Sequence, residues 1–109
     1  MNANELFDMI RSTYRSLDNN VAKMSELAEC AERADDKEVR DELVAYLGKM
    51  FTHINNMADR AMEWIDRCPA LEHRRDWFDM VANAAAEIAT RAEQNQRMRA
   101  SVRSEVRHE

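Results

Sequence analysis

An apolar seven-residue repeat runs almost unbroken from Phe7 to Ala31. Phe7, Tyr14, Val21 and Ala28 form one line, and Ile10, Leu17, Met24 and Ala31 form a second line three residues later. This 3-4 spacing keeps the apolar side chains on one stripe of a helix that packs lengthwise against other long helices. A sheet would need several Gly, Asn-Gly or Pro turns between short strands. The chain has one Gly and one Pro. The sequence therefore predicts an all-α fold: an antiparallel bundle of three long helices with coiled-coil-like heptad packing.

Local signals divide the chain. Asn2 followed by Glu5 has capping-box spacing and predicts the start of the first helix, which the repeat carries to about Arg33. Asp18, Asn19 and Asn20 lower helix propensity and open the option of a kink, although Leu17 and Val21 keep the phase. Asp35 and Asp36 mark a turn. Asp35 with Glu38 repeats the cap spacing, and the acidic run through Glu42 favours a helix N-terminus.

The second helix reads Leu43, Met50, Met57, Trp64 on one line and Leu47, Ile54, Ala61, Cys68 on another. A flanking line of Val44, Phe51, Ala58 and Ile65 is also apolar, so this stripe is wide enough to touch more than one neighbour. Gly48 reads as tolerated on an outer face or as a close approach. Pro69 ends the helix.

A third helix begins near Ala70–Asp76, with Leu71, Phe78, Ala85 and Ala92 beside Val81, Ile88 and Val102. Its seam turns polar at Asn95 and Arg99, which predicts a frayed polar end over residues 96–109 of a single domain spanning 1–109. Helices of roughly 28 to 33 residues are about 42–50 Å long. Short connections make neighbours antiparallel. Pairing around the turns places Phe7 beside Trp64, Leu17 beside Ile54 and Met24 beside Leu47. It also places Trp64 near Phe78 and Ile54 near Ile88.

Charge and composition narrow the function classes. The net charge is −5, with the acidic surplus in the first two thirds of the chain. That disfavours direct nucleic-acid binding. Neither a signal peptide nor a membrane-length apolar run is evident, so the expected location is cytoplasmic. Cys30 and Cys68 fall at opposite ends of the first hairpin, far beyond the ~7 Å reach of a disulfide.

Candidate chemistry is sparse. His53 and His73 lack metal-ligand neighbours. Glu105 and His108 have a metal-like spacing without the further carboxylates such a site needs, so neither metal nor cofactor is expected. Arg67 with His73, and Arg103 with His108, show an Arg–His spacing used by small helical RNases of the HEPN type. In so arginine-rich a chain that spacing also arises by chance. The Arg-rich end, Arg91, Arg97, Arg99, Arg103 and Arg107, could track a phosphate backbone, but antiparallel packing lays Arg99, Arg103 and Arg107 beside the acidic start of the second helix, which is the expected pairing. Phe7, Trp64, Trp77 and Phe78 converge at one end, as a peptide-binding pocket or, more commonly for such a layer, as the core closing the bundle.

Eight methionines are many, and methionine suits adaptable contacts. Met62 lies off the seams beside the apolar flank. Val44, Phe51, Ile65 and Met62 therefore form the candidate partner or dimer surface. The expected function is a non-enzymatic protein-binding module, adaptor or regulator, homodimeric, whose partner is another protein. The alternatives are a small acidic inhibitor, of an immunity or anti-defence kind, that occludes a nucleic-acid site on its target, and the HEPN-like RNase.

Overall fold

The computed structural model describes residues 2–108, with side chains described through residue 100. Helix α1 spans Ala3–Arg33 and α2 spans Lys37–Asp66. A 3-10 turn at Pro69–Arg74 then leads into α3, Arg75–His108. No strand is present among the described residues.

The termini follow from capping chemistry. The Asn2 side chain accepts from the Glu5 N–H at 2.8 Å, and the Asn2 N–H donates to the Glu5 carboxylate at 3.3 Å, which completes the capping box. Helix α1 continues without a break through Asp18–Asn20. The cap of α2 is Asp36 and not Asp35: its Oδ1 accepts from the N–H groups of Glu38 and Val39. Pro69 has no N–H to lose at the first position of the 3-10 turn. The Cys68 N–H closes onto the Ile65 carbonyl at 2.9 Å, and the Leu71 N–H onto Cys68 at 2.9 Å. Arg75 then clasps the corner by donating to both Glu72 and Asp66.

Contacts along the shafts fix the directions. Asp41, early in α2, meets Gln96, late in α3, whereas Asp66 meets Arg75 at the other end, so these helices are antiparallel. Glu32 pairs with Asn95 across 63 residues. Tyr14 stacks on Trp77 at the same separation. The parallel α1/α3 register is thus a whole number of heptads, and the bundle runs up, down and up.

The result is a rod of 66 × 17 × 15 Å with a radius of gyration of 17.9 Å. A compact globule of this length would have about 13 Å. In this register α3 outruns the α1–α2 turn by about 18 Å at 1.5 Å per residue.

The core is a narrow axial seam. Ile10, Leu17, Met24, Leu47, Ile54, Ile65 and Phe78 are its largest fully buried side chains, and no polar residue is buried among the described ones. Small residues fill the gaps where helices come closest: Ala58, Ala61, Ala85, Ala89 and Ala92. On α3 the buried line drifts from Phe78, Val81 and Ala85 to Ala89 and Ala92, so the half-buried Ile88 stands beside the seam.

Gly48 resolves as open space, since a Cβ there would meet nothing within 4 Å. Gly48→Ala should therefore raise the unfolding free energy by about 0.5–1 kcal/mol, because alanine has less backbone freedom to lose in a helix. Urea unfolding followed by circular dichroism checks this. A loss of stability would show that the position is not an ordinary open helix site.

Candidate protein-binding surface

The expected surface of Val44, Phe51, Met62 and Ile65 divides on folding. Ile65 is 0% exposed and Val44 is 9% exposed, so both belong to the core of the monomer. Phe51 and Met62 are half-buried against that core. The reason lies in α3. At 100° per residue, this flank of α2 is the one that carries Asp41 and Asp66, and both bond to α3.

Gln96 donates to Asp41 at 2.7 Å. Arg99 reaches across to the carbonyls of Ala31 at 3.5 Å and Ala34 at 3.3 Å, and also to that of Glu32. It thereby satisfies acceptors that a helix C-terminus leaves open, and its charge suits the negative end of the helix dipole. Arg40 donates to the Ala34 carbonyl at 3.2 Å. A void of about 20 Å³ remains between Val44, Ala31, Ala92, Arg40 and Arg99. The expected pairing of Arg99 with the acidic start of α2 is replaced by this backbone capping. Residues 96–100, expected to fray, lie within helix α3. The side chains of Arg103, Glu105, Arg107 and His108 lie outside the described residues.

Asp41 is tuned by its new neighbour. The Gln96 hydrogen bond, and then Lys37 with its ammonium 3.6 Å away, lower its pKa below the ordinary carboxylate value. A lowered folded pKa adds stability above the unfolded pKa, and that stability is lost as pH falls through the folded value. The stability gap between wild type and Asp41→Asn should therefore shrink on acidification below about pH 4. Parallel urea titrations at neutral and acidic pH check it. A gap that widens in acid would refute the assignment.

The opposite flank of α2 is the open one. Val39, Tyr46 and His53 follow at heptad spacing, and Val39 is 45% and Tyr46 53% exposed. Leu43, Met50, Met57 and Trp64 run beside them, half-buried toward α1. Tyr46, Lys49, Met50 and His53 share with Asn20 of α1 a surface groove of about 290 Å³. A second groove of about 300 Å³, between α1 and α3, is charged: Glu29, Glu32 and Glu87 line it with Arg91.

The remaining candidates are dispersed. Both cysteines are free. His53 sits in the α1/α2 groove, and the exposed His73 sits in the 3-10 turn. Arg67 caps the end of α2. Among the described residues no group of three or more His, Cys, Asp or Glu side chains is placed to hold a metal ion. No helix among them is long and apolar enough to cross a membrane. No family model, curated protein or solved structure matches this chain.

Proposed function

We propose that this protein is a helical protein-binding module that presents its α1/α2 face, and that a second copy covers this face in a two-fold dimer. The observation that carries the reading is the exposure of Tyr46 and Val39 on the flank of α2 that α3 leaves open. Aromatic side chains and methionine are enriched in binding surfaces, and here Tyr46 shares its groove with the half-buried Met50.

An antiparallel pairing of two α2 helices, centred between Ala45 and Tyr46, supports self-recognition. It places Glu42 opposite Lys49 and Glu38 opposite His53, and all four are exposed. Two-fold closure is the commonest homo-oligomeric arrangement.

Sedimentation equilibrium tests the reading. A monomer–dimer equilibrium at micromolar concentration is expected, and a monomer up to high micromolar concentration would reject the homodimer. The acidic-inhibitor reading draws on Glu29, Glu32 and Glu87 in the α1/α3 groove. Steep salt sensitivity of partner capture would favour it over an apolar contact.

A further inference from the structure

At the end of the rod where α1 begins, two arginines rest on aromatic rings. The Arg11 guanidinium carbon lies 4.8 Å from the centroid of Phe7. Arg74, from the 3-10 turn, lies 5.0 Å from the same ring and 3.9 Å from the Trp77 ring. Tyr14 extends the cluster, 4.8 Å from Trp77. Phe7, Tyr14, Arg74 and Trp77 are half-buried and Arg11 is exposed.

Among the described residues, neither arginine makes an ion pair or a hydrogen bond, and Nε of Arg74 is buried without a partner. Both guanidiniums therefore lie against one ring without an ion pair to any described carboxylate, in a chain of net charge −5.

Stacking leaves the outer edge of a guanidinium, formed by its two Nη groups, free to meet a carboxylate in a bidentate geometry. Carboxylates arriving at this end of the rod would neutralise two positive charges that no described side chain balances. Trp, Tyr and Arg are also the residues that dominate binding hot spots. We infer that Phe7, Arg11, Tyr14, Arg74 and Trp77 form a docking site for an acidic segment of a protein partner. Carboxylates of that segment engage the two arginines, and an apolar side chain rests on the exposed ring edges. This patch lies on α1, the 3-10 turn and α3, away from Tyr46, and stands whether or not the protein dimerises through α2.

The test is a fluorescence-anisotropy titration with a labelled Glu/Leu-rich peptide, beside a Lys/Leu-rich peptide of equal length. A single-stranded DNA oligonucleotide and phosphatidylserine-containing vesicles complete the set. The acidic peptide should bind and the basic one should not. Arg11→Gln with Arg74→Gln should weaken binding by about thirtyfold, a hot-spot loss, whereas Arg91→Gln should not. Arg11→Gln alone, at an exposed position, should weaken it while leaving the circular dichroism unchanged, which separates docking from folding.

Unchanged affinity in both arginine variants, or no binding of the acidic peptide, would overturn the site. Tighter binding to DNA or vesicles would overturn a protein partner. Open-ended assembly of the protein alone, abolished by Arg11→Gln, would place the chain's own acidic run from Asp35 to Glu42, at the start of α2, in the patch and overturn a separate partner.

Discussion

Phe78→Ala should lower the unfolding free energy by about 3–5 kcal/mol, the cost of a buried phenylalanine cavity. Phe78 is fully buried and is the largest such side chain among the described residues. It stands edge-on to Tyr14, with centroids 6.1 Å apart and planes at 87°, a favourable aromatic geometry. In a bundle only three helices thick, the surrounding shafts cannot collapse into the gap without losing register elsewhere. A domain of this size has about 5–15 kcal/mol in total, so the variant should lose a large share of its stability. Chemical unfolding monitored by circular dichroism decides it. A loss below about 1 kcal/mol, the size of a tolerated swap, would mean that the α1/α3 packing is not as described.

Tyr46→Glu should weaken the proposed dimer by about ten- to a hundredfold while the monomer stays folded. Burying one large apolar side chain at an interface is worth about 1.5–3 kcal/mol, which converts to that range. The glutamate would also lie near Glu42 of the partner copy, adding like-charge repulsion. Tyr46 is 53% exposed in the monomer, so the substitution removes little intramolecular packing. The expected pattern is a monomer in sedimentation with wild-type helicity and melting temperature. An unchanged dimer would separate self-association from the α1/α2 face. Phe51→Glu, by contrast, places a charge against the half-buried edge of the core and should destabilise the monomer itself.

The fold was legible because its causes are local. Ile10, Leu17, Met24 and Ala31 are the buried line of α1, and a seven-residue repeat announces such a line without reference to any neighbour. Asn2 and Glu5 lie three residues apart, so their capping box needed no tertiary knowledge. The Asp35/Asp36 ambiguity is different, since adjacent aspartates are both competent caps and the trajectory of the turn chooses between them.

The surface was less legible, for a related reason. Periodicity shows that α2 has two apolar flanks but not which of them α3 will cover. The α3 seam turns polar at Asn95 and Arg99, yet Gln96 and Arg99 hold this end of α3 in place by hydrogen bonds to Asp41 and to the end of α1. The exposed pair, Val39 and Tyr46, carried a signal in its heptad spacing on the outer side of α2. The convergence of Phe7 and Trp77 at one end was legible from the helix register, but Arg11 and Arg74 carried no such signal, because the stack joins α1 to residues more than sixty positions away in the chain.

Whether the α1/α2 face is what this protein presents to a partner is tested most directly by amide chemical shifts followed over a dilution series. The dimer proposed here predicts concentration-dependent shifts clustered at Val39, Tyr46, Lys49, Met50 and His53, reaching Asn20 across the groove. Shifts confined to Ser25, Glu29, Glu87 and Arg91 on the α1/α3 side, or no shifts over the whole series, would contradict it.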